Sequence, residues 1–169
     1  GFYDFTSDLM MKDTAYTTLA LAPHTDTTYF TDPAGLQMFH LLSHEHGSGG
    51  SSILIDGFNA ANLLKNESRA YYDILSSKPV HAHAVGNEGI TIKPARTFPV
   101  LGLRNSSSEK EKLELYQIRW NNDDRGTVPL ENENSDLVDM WYAAARRFNE
   151  ILKMESMQYK TQLKPGRPL

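Results

Sequence analysis

The chain has 169 residues, of which 40% are hydrophobic and 22% charged, with a formal net charge of −4 and no cysteine. That length and balance suit one domain with a sizeable core. The modest negative charge gives no basis for a nucleic-acid partner, and neither a disulfide nor a cysteine-ligated zinc can form. No stretch approaches about 18 consecutive apolar residues, so no membrane-spanning helix is expected.

The chain opens on Gly1-Phe2-Tyr3-Asp4, with neither a methionine nor a basic leader, as expected of a segment that begins inside a longer protein. Residues 14–21 are rich enough in β-branched and apolar side chains to be extended. Asp32-Pro33-Ala34-Gly35 is a turn, since proline presets one dihedral and glycine accepts positive φ. Residues 36–42 then read as a strand, apolar at odd and even positions and so expected to be covered on both faces. The polar run from His44 to Gly50 is expected to connect it, as a hairpin, to a second strand at 52–55. Two such strands are the local unit of a barrel or jelly roll.

Residues 59–77 change period and suit short helices. Residues 78–85 look extended again, and 91–103, interrupted by Pro94 and Pro99, read as loop or edge strand. Residues 106–112 form a charged hairpin tip and 113–120 a strand. The clearest helix follows Asn134-Ser135 and runs to about Lys153, with Leu137, Met140, Trp141, Ala144, Phe148, Ile151 and Leu152 on one face. Asp136 and Asp139 near its start and Arg146, Arg147 and Lys153 towards its end suit the helix dipole. This helix is expected to be scaffold.

The chemistry-bearing stretch is His24-Thr25-Asp26. On an extended segment, side chains two residues apart share a face, so the imidazole and the carboxylate can bind one ion. One histidine and one carboxylate suit Fe(II) when a further histidine completes a triangular face and leaves open positions opposite. His-x-Asp also arises by chance, and context must decide. His40 is expected as an ordinary buried histidine and His44 and His46 as exposed loop residues; His81 and His83 share a strand face that could conceivably hold a second metal.

That context is the run from Asp13 through Tyr16, His24, Asp26 and Tyr29-Phe30, then Pro33-Ala34-Gly35-Leu36, Gly49-Gly50 and Ile55-Asp56-Gly57-Phe58. It returns at Tyr116 to Arg125, including Asn121 and Asn122, and at Leu163-Lys164-Pro165-Gly166-Arg167. Together these stretches resemble the trimethyllysine and γ-butyrobetaine hydroxylases of carnitine biosynthesis, and the Asp26-Thr27-Thr28-Tyr29 stretch resembles the trimethyllysine branch more.

The resemblance implies a mainly β fold with flanking helices, an incomplete double-stranded β-helix or jelly roll forming a single oxygenase domain over residues 1–169. It implies Fe(II) and 2-oxoglutarate, with ascorbate, and hydroxylation of trimethyllysine, a small-molecule substrate. His24 and Asp26 would be the catalytic metal ligands. A fixed quaternary ammonium cannot donate a hydrogen bond and is recognised by aromatic faces; Tyr3 and Tyr16 fall where the family places its cage, with Asp13 adding a charge, although both tyrosines could simply fill the core. Asn121 and Asn122 match a motif that binds the polar end of the substrate, though adjacent amides are also common turn material. Tyr29 is expected to border the pocket. A homodimer of the full-length enzyme, in the mitochondrion or cytoplasm rather than secreted, is the expected setting.

The pattern breaks at the end. In the family the Lys-Pro-Gly motif leads to a distal iron-binding histidine and then to the arginine that holds 2-oxoglutarate, whereas no histidine follows His83 here. Nor is the amino-terminal zinc-binding module of those enzymes present. The expectation is an inactive and poorly stable isolated polypeptide. γ-Butyrobetaine hydroxylation, a non-catalytic quaternary-amine binder and a remnant that binds nothing remain as alternatives.

Overall fold

The computed structural model describes residues 19–45, 49–85, 89, 91–107, 112–128 and 135–169. Helix α1 (Gly57–Glu67) starts where the Asp56 carboxylate accepts from the Asn59 amide at 2.9 Å. Ser68 then adopts an extended backbone and caps α2 (Arg69–Ser77), its hydroxyl accepting from Tyr71 N at 3.3 Å. One serine thus breaks the apolar period at 59–77 into two short helices, because its side chain satisfies a donor that a continuous helix would have paired.

Helix α3 (Ser135–Leu152) buries Trp141, Ala144, Phe148, Ile151 and Leu152 against α1 and α2. Leu137 and Met140, expected on the same stripe, are 39% and 37% exposed, so the first turns of α3 lie at the margin of the core. Leu64 of α1 and Leu75 of α2 complete the fully buried centre. Among the described residues no helix is long and apolar enough to cross a membrane.

Three two-stranded antiparallel sheets are present among the described residues. The first pairs β1 (Ser51–Ile55) with β6 (Gln158–Gln162), from Ser51 opposite Gln162 to Ile55 opposite Gln158. The hairpin expected between 36–42 and β1 is therefore not formed. Residues 36–42 are not a strand; they bond to the last residues, with Phe39 N donating to Leu169 O at 3.0 Å and Leu169 N to Phe39 O at 2.9 Å. Nor are they covered on both faces, since Leu36 is 97% exposed. These bonds, together with Gly166 N donating to Leu41 O at 3.3 Å, form no ladder and give this segment no sheet to lie against. His40, expected to be buried, is exposed for the same reason.

The second sheet joins β2 (Ala84–Val85) to β3 (Thr91–Ile92). Before it, isolated bridges tie Val80 to Phe98 and Ala82 to Arg125. The third joins β4 (Leu101–Asn105) to β5 (Leu113–Ile118), with a bulge between Gly102 and Leu103. A side chain at Gly102 would meet the Tyr116 ring at 3.1 Å and Gln117 O at 3.3 Å, so the bulge needs a glycine. The end of the 91–103 stretch, expected as loop or edge strand, is a strand paired on one side only, its first residue, Leu101, fully buried; the interruption stops at Pro99. Antiparallel strands and flanking helices are both found, but among the described residues helices outweigh strands, so the fold is mixed rather than mainly β, and the strands pair two by two without forming a jelly roll. Beyond β5, the Trp120 ring meets Phe148 of α3 edge-on, centroids 5.3 Å apart.

Candidate metal centre

His24 and Asp26 come together as the sequence predicts, with His24 Nε2 3.2 Å from Asp26 Oδ1. Strand alternation is not what aligns them. The segment turns immediately after Asp26: Thr27 has φ of 56°, and Phe30 N donates to Thr27 O at 2.9 Å. A β-branched residue in the left-handed region is costly, about 1–3 kcal/mol, and persists only when its surroundings hold it.

The imidazole is oriented by its other nitrogen, since His24 Nδ1 lies 2.7 Å from Ala22 O. With Nδ1–H donated to that carbonyl, Nε2 is the nitrogen left for an ion, the arrangement usual behind metal-bound histidines. The hydrogen bond to Asp26 pushes the His24 pKa up to about 9, helped by Ala22 O and opposed by burial. The Asp26 carboxyl is held below its ordinary value by His24 first and by a hydrogen bond from Gln37, against burial. Without metal, a proton therefore sits between the two groups.

The segment after β5 cradles this turn. Thr25 N donates to Trp120 O at 2.6 Å, and Trp120 N donates to Thr25 Oγ1 at 2.8 Å. The Arg119 guanidinium donates to three carbonyls of the turn: Thr28 O at 3.4 Å and Phe30 O at 3.0 Å through Nη1, and Thr31 O at 2.7 Å through Nη2. Its carbon lies 3.7 Å from the Phe98 ring centroid, and burial lowers its pKa. Asp124 accepts from Thr28 Oγ1 at 3.4 Å and from Asn121 Nδ2 at 2.8 Å. Burial raises the Asp124 pKa, and the Asp123 and Asp26 charges add to that, while the Thr28 hydroxyl and His24 oppose it.

The two predicted amides part company. Asn121 spends both ends within its own turn, donating to Asp124 and accepting from Asp123 N at 3.1 Å. Asn122 Oδ1 accepts two bonds from Arg125, from Nε at 3.2 Å and from Nη2 at 3.0 Å. That fork fixes the amide, leaving Nδ2 as the group it presents. Arg125 itself lies over the rings of Trp141 and Tyr142, 5.2 and 5.5 Å from their centroids.

Tyr3, Asp13, Tyr16 and His46 lie outside the described residues. Tyr29 packs against Phe30 with ring centroids 5.1 Å apart. His44 is exposed as expected. His81 and His83 gain no further ligand: among the described residues no group of three His, Cys, Asp or Glu is placed to hold an ion. Gln37 and Arg119 lie in the stretches that carry the resemblance, and Asp124 and Arg125 in the substrate motif that begins at Asn121, but the sequence assigns Gln37 and Arg119 no role. Their signal is weak, because which way a loop side chain turns is set by contacts some ninety residues away in the chain, such as Thr28 with Asp124.

A family model described as "Taurine catabolism dioxygenase TauD, TfdA family" matches residues 3–167. The trimethyllysine dioxygenase of Neurospora crassa is 47% identical over 201 residues, an alignment covering 100% of this chain and 41% of that protein. The mitochondrial trimethyllysine dioxygenase of Homo sapiens is 39% identical over 179 residues, covering 98% of this chain and 38% of that protein. The γ-butyrobetaine dioxygenase of Homo sapiens is 28% identical over 172 residues, covering 98% and 41%. The chain spans about two fifths of the length of these curated relatives. With almost its whole length matched, this chain belongs to the TauD/TfdA dioxygenase family.

Proposed function

We propose that this chain is part of a trimethyllysine dioxygenase, in which His24 and Asp26 hold Fe(II). Dioxygenases of this family generally use Fe(II) and 2-oxoglutarate. The donor set fits that metal: one imidazole with its second nitrogen engaged by Ala22 O, and one carboxylate 3.2 Å away. The observation that carries the substrate choice is identity of 39–47% with trimethyllysine dioxygenases against 28% with the γ-butyrobetaine enzyme.

Bound there, Fe(II) would supply dioxygen activation coupled to decarboxylation of 2-oxoglutarate to succinate. The chain's own residues bind and orient. His24 gives up the proton it shares with Asp26, Gln37 keeps the Asp26 carboxylate ionised, and Asn122 offers Nδ2 to the carboxylate end of the amino acid. The rings of Tyr3 and Tyr16 and the Asp13 charge would receive the trimethylammonium. The third metal ligand lies outside this set. Ascorbate as reductant and a mitochondrial setting, the latter supported by the names of the mammalian relatives, belong to the same proposal.

We also propose that β1 and β6 belong to a double-stranded β-helix in the longer protein, where residues 36–42, not a strand here, would pair with strands from outside this sequence. Their open backbone edges and the exposed Leu36, Met38, Tyr159 and Ile53 support this.

The test is succinate formation by the full-length protein with trimethyllysine, with γ-butyrobetaine as the comparison. Turnover dependent on trimethyllysine and Fe(II), and lost in His24→Ala, is expected. Preference for γ-butyrobetaine, or trimethyllysine binding without metal dependence or turnover, refutes the reading.

A further inference from the structure

We propose that Arg119 is a positioning residue for Asp26: by donating to the carbonyls of Thr28, Phe30 and Thr31 it holds the left-handed Thr27 turn that sets Asp26 against His24. The inference rests on the metal-ligand reading for one of its two measurements only.

Asp26 sits between two anchors on a single strand end. On its amino-terminal side Thr25 bonds in both directions to Trp120. On its carboxy-terminal side the carbonyls of residues 28, 30 and 31 converge on Arg119. The only link between the anchors is Asp26-Thr27, and Thr27 is the one non-glycine residue with positive φ among those described. Left to its preference, a β-branched residue would leave that region and carry the following peptides away from the strand.

Three carbonyls aimed at one point repel one another unless a cation with several fixed donors fills it. A guanidinium does so with a planar fork, whereas an ammonium reaches one or two of them without fixing a plane. The plane is set from both sides: Phe98 lies under the guanidinium at 3.7 Å, and Gln117 Oε1 accepts from Arg119 Nε at 3.1 Å. Packing on Phe98 is the competing explanation for the arginine, and it would leave the Thr27 turn indifferent to the fork.

The experiment compares Arg119→Lys, Thr27→Gly and the double variant of the full chain. Glycine adopts positive φ without strain, so it lessens the need for the clamp, at the cost of the bond that Thr27 Oγ1 accepts from Ala34 N at 3.1 Å. The first readout, independent of metal, is hydrogen exchange of the Phe30 amide, which closes the turn by donating to Thr27 O at 2.9 Å. Arg119→Lys is expected to speed it about tenfold, with the helical Ser68 amide, bonded to Leu64 O, unchanged. Adding Thr27→Gly is expected to restore most of the protection. The second readout is Co(II) affinity, expected to fall about tenfold in Arg119→Lys, to be nearly unchanged in Thr27→Gly, and to recover in the double variant, because only the fraction of chains in the competent turn binds.

Unchanged Phe30 exchange in Arg119→Lys overturns the proposal, and so does a loss that Thr27→Gly does not relieve. If Arg119→Lys folds only together with Thr27→Gly, the clamp is supported; if it folds in neither background, the arginine serves the fold rather than the turn and the proposal fails. Should the unaltered chain take up no Co(II), or take it up equally in His24→Ala, the metal-ligand reading falls while the exchange result still decides the role of Arg119.

Discussion

Because His24 carries a proton shared with Asp26, an ion entering this site must displace it. The His24 pKa is pushed up to about 9, so at neutral pH roughly one chain in a hundred has the imidazole free. Apparent metal affinity should therefore rise as pH rises, by close to tenfold per pH unit, and level off above about 9. The ceiling on that gain from neutrality is about 3 kcal/mol at 1.4 kcal/mol per decade. Solvent reaches the ring, whose side chain is 30% exposed, and screening brings the expected gain to between about tenfold and a hundredfold. Calorimetric titration with Co(II) in two buffers of different ionisation enthalpy reads the proton directly. Close to one proton should be released per ion at about pH 7, falling towards none as pH passes the His24 value. No proton release at neutral pH, or an affinity level across the range, would mean that His24 is neutral in the metal-free chain, and the reasoning from its contact with Asp26 would be wrong.

The same pair sets a pH window for the metal-free fold. Raised above 6.5, the His24 pKa contributes stability that is complete below 6.5 and lost as pH rises through about 9. Lowered below 3.8, the Asp26 pKa contributes stability present above 3.8 and lost as pH falls through its folded value. Urea midpoints should thus plateau between these limits and decline on either side, and Asp26→Asn should abolish the alkaline decline. Arg125→Met frees the Asn122 amide to rotate and removes the cation over the Trp141 and Tyr142 rings; the full-length enzyme should show KM for trimethyllysine raised about fivefold to thirtyfold with kcat nearly kept, the mark of lost uniform binding. An equal fall in kcat would assign Arg125 to the chemistry instead. Phe148→Ala empties a fully buried site and removes the edge contact to Trp120, so denaturant unfolding should register a loss of about 3–5 kcal/mol.

What was legible in the sequence follows from what is local. The three α-helices are announced by apolar spacing, and α1 and α2 also by caps at Asp56 and Ser68, all decided within a few residues. The pairing of His24 with Asp26 was legible too, although the wrong local geometry suggested it: Thr27 carries no glycine-like signal that a left-handed turn follows. Partnership of strands was not legible. β1 pairs with β6 across more than a hundred residues, and nothing in the glycine-rich run from His44 to Gly50 reveals that it fails to close a hairpin. The near-continuous apolar run of 36–42 specifies a buried segment, and in the described structure that segment is exposed because such a run encodes a preference for cover without encoding its source.

Helix α3, expected as scaffold, reaches both parts of the site at one remove. Phe148 supports the Trp120 ring edge-on, and it is the Trp120 backbone that bonds Thr25, the residue between His24 and Asp26. Two turns earlier Trp141 and Tyr142 face Arg125, which fixes the Asn122 amide. The His24–Asp26 turn and the Asn122 amide are thereby registered against the same helix, through residues 120 and 125 of one continuous segment. A core substitution on α3 consequently has two separable signatures, a loss of global stability and a displacement of the site, and the face it touches decides which dominates. Phe148 acts on the ligand turn, whereas Tyr142, 36% exposed and outside the core, acts on Asn122 with little stability to lose.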